Sequence, residues 1–173
     1  DKGIHANTYH FTASDGEHEA IIDDNGWVHL KMIDVHEISK LNEAIVLNTG
    51  SPHYIKQVSG LSNYDVFFEG KKIRYNKTYN KVGINVNFVE WNDNELSVRT
   101  YARGVENETF SCGTGVTAAA IAMSTDTIGA QETKIKTLGG SLLIKFNKVD
   151  AQHYNNVWLC GPASFVYDGQ ITI

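Results

Sequence analysis

Apolar and polar residues alternate in short runs along most of the chain, the period-two pattern of strands half buried in a sheet. The runs "YHFTA" (9–13) and "EAIID" (19–23) flank "SDGEH", and "DDNG" then turns the chain into "WVHLKMID" (27–34). "EAIVLNTG" (43–50) and "HYIKQV" (53–58) are separated by a sharp change of direction at Gly50 and Pro52. "INVNFVEW" (84–91) and "LSVRTYA" (96–102) read as a hairpin closed by "NDNE", and "TKIKT" and "SLLIKF" as another around Gly139 and Gly140. The tail "VWLCGPASFVYDGQITI" (157–173) predicts one or two further strands.

One segment breaks this rhythm. From about Gly115 to Ile128 the residues are small or apolar around a whole helical circumference, "VTAAAIAM" at their centre, which predicts a helix buried on every side. A short second helix is expected in "EISKLNEA" (37–44). One enclosed helix among many hairpins predicts an α+β fold in which a β-barrel wraps a central buried helix.

Composition changes this picture little. The 173 residues carry 42% apolar and 20% charged side chains and a net charge of −5, ordinary for a soluble domain. The 15 basic residues form no run, so neither nucleic acid nor an anionic membrane is the expected partner. No apolar stretch is long enough to span a bilayer, and no signal peptide is recognised. Two cysteines, Cys112 and Cys160, are too few for a disulfide framework, and a reduced cytoplasmic protein is expected. The sequons at Asn76 and Asn107 are read as chance matches. Because the chain begins at Asp1 without Met, it is expected to be a piece of something longer.

The candidate chemistry lies in "ETFSCGTGVTAAAIAM" (108–123), where Cys112 opens the buried helix. Unpaired N–H groups of a first helical turn carry about half a positive charge and favour a nearby anion. An ordinary thiol near pKa 8.5 is about 3% ionised at pH 7, and helix N-termini favour the thiolate. Gly113 and Gly115 leave room for a ligand to approach the backbone, so a small carboxylate beside the sulfur would suit the place. The competing reading makes Cys112 a small buried hydrophobe, as free cysteines often are. Cys160, in a strand-rich tail with no helix behind it, is expected to be structural. His53 follows a tight turn from which its ring could reach a site or serve structure alone. Arg103 ends a strand before a glycine turn, as a carboxylate clamp or a solvated strand end. Asn85 and Asn87 interrupt an apolar strand and need buried partners, backbone or substrate. No HExxH, CxxC, Walker loop or GxGxxG occurs, so neither metal nor nucleotide is expected.

Taken in order, "NTGSPH", "GINVNFVEW", "RTYARGVENETFSCGTGVTAAA", "GGSLLI" and "GPASFVYDG" resemble the second half of the diaminopimelate epimerase family, from about Thr12 onward. The resemblance implies two pseudo-symmetric halves, each a barrel around a helix. Residues 1–35 would be a remnant of the N-terminal domain or lead-in strands, 36–165 the C-terminal barrel and helix that carries Cys112, and 166–173 a terminal strand returning to the N-terminal domain. It implies a cofactor-independent isomerase that interconverts LL- and meso-diaminopimelate by two cysteines on opposite faces of the α-carbon, in lysine and cell-wall precursor biosynthesis. Cys112 would be one of these; His53 would tune the cysteines; Ser51, Asn85, Arg103 and the N–H groups of Gly113 and Thr114 would hold the substrate. Ser51 departs from an Asn common in the family, and Ala102 from a Glu that adjusts cysteine ionisation, a role Glu106 or Glu108 could take instead. The other cysteine belongs to a motif upstream of Asp1, so the missing N-terminal half is an expected partner, the chain alone is expected to be inactive, and the full-length enzyme is expected to be a homodimer. Two further readings remain: a hydrolase or acyltransferase with Cys112 as nucleophile and His53 as base, and a non-catalytic ligand-binding domain of the same fold.

Overall fold

A computed structural model describes residues 8–13 and 16–171; residues 1–7, 172–173 and two positions of the first expected turn, Ser14 and Asp15, lie outside the described residues. The strands are β1 (Thr8–Ala13), β2 (Gly16–Ile22), β3 (Trp27–Lys31), β4 (Ile38–Lys40), β5 (Ile45–Asn48), β6 (Pro52–Gln57), β7 (Asn85–Asn92), β8 (Glu95–Ala102), β9 (Asn107–Thr109), β10 (Gly129–Thr137), β11 (Gly140–Lys148) and β12 (Tyr154–Pro162). Helix α1 (Val66–Arg74) lies between β6 and β7, and α2 (Gly113–Ala122) between β9 and β10. No described helix is long and apolar enough to cross a membrane.

All strands join one mixed sheet in the order β1-β2-β3-β12-β11-β10-β8-β7-β6-β5-β4, with β9 beside β8. Two neighbouring pairs, β6–β7 and β8–β10, are parallel. A parallel pair needs a long crossover, and the two crossovers carry α1 and α2.

The expected barrel is not closed by a ladder: the sheet runs from a free edge at β1 to another at β4. It nevertheless curls round α2, which lies against β5, β6, β7, β8, β10, β11 and β12. The seam between β4 and β12 is spanned by reciprocal backbone hydrogen bonds of 2.8 Å between Val35 and Tyr154, and by Ile38 N–H donating to the Gln152 side chain. A helix wrapped so closely must be thin, and Ala118, Ala119 and Ala120 are fully buried against Val89, Val98, Ile135 and Ile144.

Helix α2 stops at Ala122, not near Ile128. "STDT" follows, residues that prefer caps and turns to helix interiors, and Lys148 Nζ donates to the Thr125 carbonyl. The helix expected over 37–44 is instead β4 and its turn into β5. Helix α1, unexpected from the pattern, is capped by Asp65, whose carboxylate accepts from Phe68 N–H. Its central Gly70 lies so close to β8 that a Cβ would sit 2.4 Å from Tyr101 Cβ. One strand, β12, forms in the tail; residues 163–171 belong to no element, so the strand expected over 166–173 is not formed within 166–171.

Strand β7 is covered on both faces over its first five residues, 85–89, all of them buried. Val86 and Phe88 face α1 with Tyr101 and Val66. Val89 joins the α2 core, and by the two-residue period Asn85 and Asn87 share its face. In the parallel register His53 of β6 lies beside Asn85, and Thr100 of β8 lies opposite Asn87. Four polar side chains from three strands are thus placed under the start of α2.

Candidate active site

Cys112 is the N-cap of α2, with extended backbone (φ −140°, ψ 109°), and its sulfur accepts no capping hydrogen bond from a backbone N–H of the helix. It is half-buried, and its sulfur lies 3.6 Å from Thr114 Oγ1. The first-turn N–H groups of Gly113 and Thr114 have no intrahelical acceptor. A Cβ at Gly115 would come within 2.5 Å of Asn87 Oδ1 and 3.3 Å of the sulfur, so this position admits only glycine without displacement.

The turn from β5 to β6 is pinned to the helix. Gly50 takes φ +111°, Asn48 Oδ1 accepts from its N–H, and Thr49 Oγ1 donates to the Thr114 carbonyl at 2.8 Å. This presents Ser51 and His53 to the helix start. His53 Nε2 is 2.9 Å from Thr114 Oγ1 and 3.0 Å from Ser51 Oγ, and the two hydroxyls are 3.2 Å apart. Asn85 Nδ2 donates to Ser51 Oγ at 3.1 Å, while Asn85 Oδ1 accepts from the backbone N–H of Arg103 at 2.9 Å. His53 is fully buried; burial first, and the nearby Arg103 charge second, push its pKa down to about 3, so its ring is neutral at pH 7.

Ser51, His53, Asn85, Thr114 and Cys112 therefore converge in one hydrogen-bonded set. Arg103 enters through its backbone; its guanidinium is exposed and donates to the Val82 carbonyl at 3.3 Å. Ala102 is buried at the end of β8. Neither neighbouring carboxylate is free to replace the glutamate expected there. Glu106 accepts from Arg74 Nε, Tyr101 Oη and Gly104 N–H. Glu108 holds Arg99 in a two-pronged pair at 2.6 and 2.7 Å. The direct Cys112–His53 contact that a nucleophile–base dyad requires is not formed among the described residues: the Thr114 hydroxyl stands between them.

Cys160 lies elsewhere, fully buried in β12. Its sulfur is 3.1 Å from His29 Nδ1, and His29 Nε2 is 3.0 Å from Asp23 Oδ2. With Nε2–H donating to that carboxylate, Nδ1 accepts from the thiol; burial pushes the Cys160 pKa up, which suits a structural thiol. Two partners of the Cys112 site, Thr49 and Thr100, carry no signal in the sequence that marks them as functional. Asn87 is visible as an amide in an apolar strand, whereas a threonine is unremarkable both in a turn, as at Thr49, and in a strand, as at Thr100.

The family model described as diaminopimelate epimerase matches residues 45–166. The diaminopimelate epimerase of Flavobacterium psychrophilum is 44% identical over 163 residues, covering 93% of this chain and 63% of that protein. That of Thermotoga maritima is 38% identical, covering 84% and 60%, and that of Chlorobaculum tepidum 37% identical, covering 95% and 66%. The chain thus spans less than two thirds of the length of these relatives. Among solved structures, a hydroxyproline epimerase from Agrobacterium vitis superimposes with a TM-score of 0.68 at 14% identity, covering 95% of this chain and 60% of that one. A phenazine biosynthesis protein of the PhzF family from Bacillus anthracis gives 0.66 at 11% identity, covering 98% and 70%. These distant structures share the fold, and the match over 45–166, which contains His53, Asn85 and Cys112, assigns the chain: it belongs to the diaminopimelate epimerase family.

Proposed function

We propose that this chain supplies one acid/base thiol, Cys112, of a cofactor-independent epimerase that interconverts LL- and meso-diaminopimelate. The observation that carries the reading is the seat of Cys112 at the N-cap of α2, with its sulfur turned to a hydroxyl and not to a base. The Cys112 thiolate takes the α-proton from one face while a second thiol returns a proton from the other. Charge that develops towards the substrate α-carboxylate meets the N–H groups of Gly113 and Thr114. His53, neutral and buried, holds the Thr114 hydroxyl, and Ser51 and Asn85 hold the polar wall beside it. The exposed guanidinium of Arg103 is available to a second carboxylate.

The second thiol belongs to an upstream segment with its own barrel, in a full-length cytoplasmic homodimer serving lysine biosynthesis. The chain by itself is then inactive. Purified as 173 residues and given meso-diaminopimelate in D2O, it is expected to exchange no α-proton; detectable catalysed exchange would overturn the two-thiol reading. In the full-length protein, Cys112→Ala is expected to abolish epimerisation, and turnover above a few per cent would assign the proton transfer to another group.

A further inference from the structure

Neutral His53 carries one ring proton, and the nitrogen that holds it decides what its neighbours can donate. Nδ1 lies 3.0 Å from Asn87 Nδ2. The Asn87 amide is oriented by the Tyr54 carbonyl, which can only accept and lies 3.4 Å from Nδ2; the Thr100 hydroxyl, 2.9 Å from Oδ1, donates to the oxygen so placed. A flipped amide would set oxygen against the carbonyl oxygen. Asn87 Nδ2 therefore donates to Nδ1, and the ring proton must sit on Nε2.

The consequence runs to the sulfur. The one Nε2 proton is shared between Ser51 Oγ and Thr114 Oγ1, and Ser51 Oγ also accepts from Asn85 Nδ2, so the Ser51 proton is directed to Thr114 Oγ1. Thr114 Oγ1 receives from Ser51 and His53, which leaves Cys112 Sγ, at 3.6 Å, as the acceptor for its proton. With the proton on Nδ1 instead, Nε2 would be an acceptor, and the nearer hydroxyl, Thr114 at 2.9 Å, would give its proton to the ring and not to the sulfur. A sulfur that must be an anion in one half-reaction gains from a donor aimed at it. The fold keeps room for this arrangement: only a glycine at 115 lets Asn87 Oδ1 lie under the first turn of α2.

We propose that Asn87 is a positioning residue: its amide, held by Thr100, keeps His53 as the Nε2–H tautomer and so aims the Thr114 hydroxyl at Cys112. This rests on the reading of Cys112 as an acid/base thiol. The tautomer is read directly from the ring nitrogen shifts of the 15N-labelled protein at pH 7. A protonated Nε2 and a bare Nδ1 are expected; a protonated Nδ1 would overturn the proposal without any variant. Asn87→Ala is expected to give a mixture of tautomers. It should also slow iodoacetamide alkylation of Cys112, located by peptide mass spectrometry, by about twofold for an equal mixture and about tenfold for full reversal, the worth of one hydrogen bond to an ionised acceptor. Thr100→Val, which leaves His53 untouched, is expected to move both readouts the same way by less. An unchanged tautomer or an unchanged alkylation rate in folded Asn87→Ala would overturn it. Both readouts are taken without substrate, so they stand or fall separately from α-proton exchange.

Discussion

At the scale of single residues, His53 has a cost that pH reveals. Its folded pKa of about 3 lies below the ordinary value of 6.5, so between these values the unfolded chain binds the extra proton. The stability tied to a neutral His53 is therefore complete above pH 6.5 and lost as pH falls towards 3, by about 1.4 kcal/mol per pH unit within that window. Urea unfolding at pH 7 and pH 5 measures the slope, and His53→Gln is expected to flatten it; an equal slope in the variant would place the proton uptake elsewhere. Ala102 is the second residue-scale question. Because Glu106 and Glu108 are committed to Arg74 and Arg99, neither fills the role that the family resemblance implies for a glutamate at position 102. Ala102→Glu in the full-length protein is expected to raise the epimerisation rate. A rate unchanged or lower would mean that this site works without that carboxylate, as the hydroxyl contact to Cys112 would allow.

At the scale of elements, the two helices differ in how plainly they are written. Helix α2 is apolar on every side, a pattern that demands enclosure, and it was legible with its start at Cys112 but not with its end. Helix α1 is short, shows exposed Phe67 and Phe68, and carries a glycine at its centre, which reads as a break. The structure supplies the reason for that glycine, since Gly70 is where α1 touches Tyr101. Gly70→Ala gains helix propensity worth about 1 kcal/mol but forces the new methyl against Tyr101 Cβ, and overpacking of this kind costs about 1–3 kcal/mol. Net destabilisation is expected in thermal unfolding; a stabilised variant would mean that α1 shifts freely on β8.

At the scale of the whole molecule, enclosure of α2 is achieved by curvature and not by a continuous ladder. The Val35–Tyr154 bridge, the Ile38–Gln152 bond and the ring contact of His36 with His153 join the segment that enters β4 to the segment that enters β12. If they hold in solution, the amides of Val35 and Tyr154 are expected to exchange with deuterium as slowly as those of β11. Exchange at loop-like rates would show a sheet that opens at this line.

The sequence by itself determined the strand-rich class, the buried helix, the seat of Cys112 at its head and the family motifs, because each is a local matter of period, composition or spacing. Even the departures at Ser51 and Ala102 were visible there. Which partners meet was decided only in three dimensions. Asn87 comes from β7, Thr100 from β8, His53 from β6 and Thr114 from α2, and no spacing along the chain encodes their register. The two-residue period of β7 places an amide under the helix, the parallel pairing with β6 brings it to the imidazole, and the bare Gly115 lets it stay. The tautomer inferred for His53, and with it the direction of the Thr114–Cys112 hydrogen bond, follows from that packing, because only one orientation of the Asn87 amide sets a donor against the Tyr54 carbonyl.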